Sequence, residues 1–226
     1  MQPVTLDIGQ SRRSVMKWSF AAMAAAAAFG VDVIGLKLPQ AFAQGGAVDL
    51  GASDVGVLNY AYALEQLEAA FYTHVVATPY SGMDRLEAAL LRDIKAHEVA
   101  HREFFKKALG GNRIPDLVPN FSAVNFGDRK SVLTTAMTFE DLGVSAYNGG
   151  GAAIQNAKYL AAAGSIVSVE ARHAATIRDL LMPGSASFAG DDVVDRNGLD
   201  VARLPLQVLR AAGPFISTPV TATQLP

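Results

Sequence analysis

Residues 97–105 read H-E-V-A-H-R-E-F-F, and residues 169–173 read V-E-A-R-H. Each holds a Glu and a His three positions apart: Glu98 with His101, and Glu170 with His173. On a helix, residues at that spacing share a face. In both stretches the shared face is apolar, carrying Ile94 and Phe105 in one and Ile166, Ile177 and Leu180 in the other. A carboxylate and an imidazole on an inward face need a reason, because an unpaired buried charge costs several kcal/mol or gives up its charge.

Two further stretches match each other. Residues 64–72 read L-E-Q-L-E-A-A-F-Y, and residues 139–147 read F-E-D-L-G-V-S-A-Y. At one constant offset Glu65 aligns with Glu140, Leu67 with Leu142 and Tyr72 with Tyr147. The chain thus repeats a helix bearing Glu and Tyr, followed by a helix bearing Glu-x-x-His. Glu65 sits in the apolar row Leu58, Ala61, Ala69, Tyr72, Val76; Glu140 sits in the row Leu133, Met137, Val144, Tyr147. Four carboxylates converging in one core repel, and no Lys or Arg occupies these rows. Two divalent cations supply the missing charge. Carboxylate oxygens and imidazole nitrogens suit iron, manganese or zinc.

Apolar spacing predicts four helices over about Asp54–Val76, Asp84–Leu109, Asp128–Asn148 and Ala157–Leu181. Ser53 or Asp54 is expected to cap the first. Gly110-Gly111, Gly149-Gly150-Gly151 and Pro183-Gly184 are expected to end the other three. A short turn at Pro79–Gly82 makes the first two antiparallel neighbours. Residues 110–127 are long for a structureless loop and can run the length of a bundle before the third helix starts. No convincing strand is present. The fold class is all-α: a four-helix bundle with a long crossover between helices 2 and 3 and an irregular C-terminal tail. Within the tail, the apolar patch Leu204–Ile216 is expected to dock on the bundle.

Length and composition agree. The chain has 226 residues, 50% hydrophobic and 18% charged, which suits one well-packed domain and excludes disorder. With no cysteine, thiolate metal sites, disulfides and Cys nucleophiles are excluded. The net charge is −2 and no basic stripe carries interleaved aromatics, so nucleic acid is not an expected partner. Ser11-Arg12-Arg13-Ser14-Val15-Met16-Lys17, the Ala-rich run Trp18–Val31 and Ala41-Phe42-Ala43 form the pattern of a twin-arginine export signal with a small-x-small cleavage site. The expected organisation is a signal over 1–43, a bundle over 44–182 and a tail over 183–226. Localisation is then periplasmic or otherwise exported, with no stable membrane insertion once the signal is removed.

The four stretches resemble the ferritin-like superfamily of di-iron carboxylate bundles. L-N-Y-A-Y-A-L-E-Q-L-E-A-A-F-Y and S-V-E-A-R-H-A-A are similar to its exported branch, which includes desiccation-related proteins. The resemblance implies that Glu98 and Glu170 bridge two metal ions, iron first and manganese second. Glu65 with His101 then completes one ion's shell, and Glu140 with His173 the other's. Tyr72 and Tyr147 fall where related bundles keep supporting or redox-active tyrosines. Redox chemistry with O2 or peroxide is the implied activity. The competing expectation is a non-catalytic stress or desiccation protein that keeps the fold. A homo-oligomer stays open, although the tail argues against a storage cage. Glu68 is read as solvated or supporting rather than as a ligand, His97 as surface or supporting, and His74 as structural at a helix end. Arg102, Arg172 and Asp141 are read either as partners of ligands or as surface charges.

Overall fold

The structure is a computed structural model that describes residues 46–226. The export-signal reading lies outside the described residues. Four long helices carry the fold: α1 (Ser53–Ala77), α2 (Arg85–Leu109), α3 (Arg129–Gly151) and α4 (Ala157–Leu181). A short α5 (Pro205–Ala212) follows, and two-residue strands β1 (Val48–Asp49) and β2 (Val220–Thr221) pair in parallel. The described chain is an all-α bundle, and this small strand pair is its addition to the expected elements.

Side-chain caps set three of the helix starts. Asp84 accepts from the Glu87 amide at 2.8 Å, Asp128 from Ser131 at 2.7 Å and Asn156 from Lys158 at 2.9 Å. The expected cap of α1 is corrected. Ala52 occupies the cap position without a side-chain bond. Asp54 instead accepts from the amides of Gln155 and Asn156 at 2.8 and 2.9 Å, tying the start of α1 to the α3–α4 turn.

The expected end of α3 is corrected as well. The helix runs through Gly149 and Gly150 to Gly151. These glycines serve close packing rather than termination. A Cβ on Gly149 would lie 1.9 Å from the Arg203 carbonyl oxygen, and one on Gly150 would lie 3.4 Å from the Tyr60 ring.

Helix directions follow from two crossed hydrogen bonds. Tyr72, late in α1, bonds Glu140 in mid-α3, and Tyr147, late in α3, bonds Glu65 in mid-α1. That pairing requires α1 and α3 to run antiparallel. The turn before α2 makes α1 and α2 antiparallel too, so α2 and α3 run the same way. The chain must therefore return the length of the bundle between them, which residues 113–128 do. On the way, Leu117 donates its amide to Gln66 at 2.7 Å, and Ile114 donates to Asn59 at 2.9 Å.

Both ends of the bundle are locked. At one, Glu87 accepts from Tyr80 at 2.8 Å and from Arg129, while Arg129 also reaches the Leu180 carbonyl at 2.8 Å. This joins the starts of α2 and α3 to the end of α4. At the other, Asn59 donates to the Leu50 and Asn112 carbonyls at 3.1 and 3.0 Å.

The tail lies along α3 and α4. Val208 and Ala212 are fully buried, and Phe215 meets Phe139 edge to face at a centroid distance of 4.8 Å. Arg178 of α4, 3% exposed, reaches Asp141 at 2.9 and 2.7 Å and Asp192 of the tail at 3.2 and 2.7 Å. Among the described residues, no helix is long and apolar enough to cross a membrane.

Candidate metal centre

The six sequence-predicted residues converge at mid-bundle. Glu65 comes from α1, Glu98 and His101 from α2, Glu140 from α3, Glu170 and His173 from α4. All four carboxylates are 0% exposed. They form two overlapping groups: Glu65, Glu98, His101 and Glu170 in one, and Glu98, Glu140, Glu170 and His173 in the other. In each group, one ligand atom per residue lies within 4.8 Å of the rest.

The two shared residues divide their oxygens. Glu98 sets Oε2 3.4 Å from His101 Nδ1 and Oε1 2.8 Å from His173 Nδ1. Glu170 sets Oε1 2.8 Å from His101 Nδ1 and Oε2 3.8 Å from His173 Nδ1. Glu65 Oε2 stands 3.5 Å from His101, and Glu140 Oε2 stands 3.4 Å from His173. Local periodicity explains this. The i, i+3 spacing turns Glu98 and His101 of α2 to one side, and the same spacing on α4 faces them.

A fit to metal ions is tested by the inward atoms themselves. Glu65 Oε2, both oxygens of Glu98 and Glu170, Glu140 Oε2 and the two histidine Nδ1 atoms are buried, and none has a well-formed hydrogen bond. Buried polar atoms are ordinarily paired. Here the orphans gather at two points. The outer oxygens are satisfied: Tyr72 donates to Glu140 Oε1 at 2.5 Å, and Tyr147 donates to Glu65 Oε1. The donor set of six hard or borderline ligands, with no thiolate, is compatible with divalent metal ions.

Electrostatics agree. Burial and the neighbouring Glu170 push Glu98 up to about 8, and burial pushes Glu140 up to about 7 against the pull of His173. Burial works against charge on His173, but Glu140 and the other carboxylates outweigh it and raise the imidazole to about 12. His101 moves up for the same reason, chiefly through Glu65. Burial also opposes ionisation of Glu170, yet the two histidines close to its oxygens bring it down to about 2.

Glu68 is not solvated, which leaves the supporting reading of it. It is buried, and burial plus repulsion from Glu170 and Glu98 raise its carboxyl well above the ordinary range. A Cβ on Gly143 would stand 3.0 Å from Glu68 Oε1 and 3.8 Å from Glu170 Oε2. The internal repeat holds the signal, since Gly143 aligns with Glu68 as Glu140 aligns with Glu65. One helix supplies an extra carboxyl, and its counterpart omits a side chain to admit it.

His97 is half-buried. Its Nδ1 lies 2.9 Å from His173 Nε2. His74 stacks on Phe126 at a centroid distance of 3.8 Å. None of the three weaker candidates pairs with a ligand: Arg102 bonds Glu103, Arg172 bonds Ser168, and Asp141 bonds Arg178. Sequence reasoning did not single out Arg178 or Glu87, both buried.

A narrow apolar slot of about 20 Å³ opens beside the Glu65 side of the cluster, lined by Ala61, Phe105, Ala146, Tyr147 and Gly150 among others. That is about the room of one water-sized molecule.

A family model described as a ferritin-like domain matches residues 53–183, which is more than half of the chain. A search among curated proteins gave no match.

Proposed function

We propose that this chain, which belongs to the ferritin-like domain family, holds two divalent metal ions, iron or manganese, and uses them in redox chemistry with O2 or peroxide. The carrying observation is the division of oxygens by Glu98 and Glu170, each of which turns one toward each histidine. The eight inward atoms form His–carboxylate contacts as short as 2.8 Å but no well-formed hydrogen bond, and they gather in two groups of four residues.

Glu65 with His101 would hold one ion, Glu140 with His173 the other, and Glu98 with Glu170 both. A bound pair supplies two electrons at one place. The protein's own part is to fix the donors and control access. Tyr72 and Tyr147 orient the terminal carboxylates, and their phenol protons stay in place because burial raises both well above the ordinary tyrosine range. As the notional catalytic tyrosines, they stand within hydrogen-bond reach of the groups that hold the metals. The apolar slot at Tyr147 admits a small apolar molecule such as O2 more readily than an ion. Glu68, buried beside the cluster, keeps its proton for the same reason as the two tyrosines.

The export pattern at Arg12-Arg13 supports a periplasmic or otherwise exported location, and the quoted stretches support the branch that includes desiccation-related proteins. The division into signal, bundle and docked tail belongs to the same proposal.

The test is metal content by mass spectrometry on the purified protein, beside a Glu98→Ala, Glu170→Ala double variant. About two ions per chain in the parent, lost in the variant, support the reading. No metal in either folded protein supports the competing one, a non-catalytic stress protein with a buried carboxylate network.

A further inference from the structure

The internal repeat makes the two halves of the site nearly equivalent, and it fails at one place. H-E-V-A-H aligns with V-E-A-R-H, so His97 corresponds to Val169. Across the bundle, His97 of α2 meets His173 of α4. Val169, the matching residue on α4, has no polar atom in its side chain to offer His101.

The geometry of the His97–His173 contact is specific. The rings are parallel to within 5°, with centroids 5.1 Å apart and Nδ1 of His97 2.9 Å from Nε2 of His173. Parallel rings cannot stack with nitrogens that close, because ring faces approach only to about 3.5 Å. The rings therefore lie edge to edge, and the bond runs in their common plane.

That contact fixes a tautomer. Nδ1 of His173 faces Glu98, Glu140 and Glu170, so it is the nitrogen that can give a lone pair to an ion. Its proton must then sit on Nε2, which donates to Nδ1 of His97. An accepting neighbour at the outer nitrogen raises the basicity of a metal-binding imidazole and holds its ring in place. Burial points the same way: the His173 side chain is 5% exposed against 12% for His101.

We propose that His97 is a positioning residue for His173 and makes the two metal positions unequal. The Glu140–His173 position binds the tighter ion, and the Glu65–His101 position, beside the apolar slot, binds the looser and exchangeable one. This inference rests on the dinuclear reading above.

The test is a titration of the metal-free full-length protein with Co2+, followed by visible absorption and equilibrium competition. The parent is expected to bind in two phases of different affinity. Glu140→Ala should remove the tight phase and Glu65→Ala the loose one. His97→Ala and His97→Leu should weaken the tight phase by roughly 10–100-fold and leave the loose one. His97→Gln, whose side-chain oxygen can accept from Nε2, should restore it. Melting of the metal-free variants shows which of them fold, and any one non-accepting variant that folds suffices. Equal affinities in the parent, an unchanged tight phase in a folded non-accepting variant, or loss of the loose phase instead would overturn the inference while leaving two ions bound. No Co2+ bound by the parent would overturn the dinuclear reading and this inference together.

Discussion

Tyr72 of α1 donates to Glu140 of α3, and Tyr147 of α3 donates to Glu65 of α1, so each tyrosine serves the carboxylate carried by the other's helix. The arrangement is a crossed pair across the bundle axis. Tyr72→Phe should lose one buried hydrogen bond and cost about 1 kcal/mol in urea unfolding of the metal-free protein. It should also loosen Glu140 and lower occupancy at the Glu140–His173 position, with the Glu65–His101 position unaffected. Tyr147→Phe should do the reverse. Equal losses at both positions in either variant would contradict the crossed pairing.

The metal-free protein should lose stability as pH rises. Glu98 is held near 8 and Glu140 near 7, above their ordinary value of 4.5. Raised groups contribute fully below the unfolded value and lose that contribution as pH passes the folded one. His173, raised from 6.5 to about 12, acts in the same direction above 6.5. Glu170, lowered to about 2, contributes above 4.5 and is lost only in strong acid. Thermal melting after chelation should therefore fall from about pH 6 to about pH 9. Metal binding requires deprotonated ligands, so the gap between loaded and metal-free protein should widen over the same range. A gap that is constant with pH would argue against ions at these carboxylates.

Arg178→Ala should destabilise the packing of the tail on the bundle. It removes the cation that joins α3, α4 and the tail, and leaves Asp141 facing Asp192. Arg178 is buried but the Asp192 side chain is 67% exposed, so the freed aspartates regain water and the loss is that of charge-assisted hydrogen bonds, about 1.5–3 kcal/mol. Limited proteolysis should then cut within residues 183–204 far faster than in the parent, while helix content by circular dichroism stays the same.

Two glycines make a matched comparison. Gly149→Ala would place a methyl 1.9 Å from the Arg203 carbonyl oxygen, forcing backbone apart, and should cost about 1–3 kcal/mol. Gly164→Ala meets nothing within 4 Å and should stabilise α4 by roughly 0.5–1 kcal/mol. Chemical denaturation of both variants reads the difference directly.

The helices and the all-α class were legible because apolar spacing is long and regular in each. Glu65, Glu98, His101, Glu140, Glu170 and His173 could be grouped because the repeat aligns them, and the structure brings all six together. The end of α3 was not legible. Gly149 and Gly150 read as terminators until the tail and Tyr60 are known to press against them. Asp54 reads as a cap but binds amides a hundred residues away. Glu68 reads as ordinary until the gap at Gly143 is seen beside it. Arg178 looks like a surface charge because its two aspartates are distant or on another helix. Each miss depends on a partner that local pattern does not reveal.

The parallel pairing of Val48 with Val220 has a consequence for how the molecule is made. The strand ahead of α1 finds its mate only after every bundle helix and the tail have been synthesised. Leu50, fully buried, donates its amide to Thr221. A chain emerging from the ribosome therefore lacks the Leu50–Thr221 bond until residue 221 is made, and contacts this distant in sequence form slowly because the intervening loop must close first. The clasp can close only once residues 220–221 have been made.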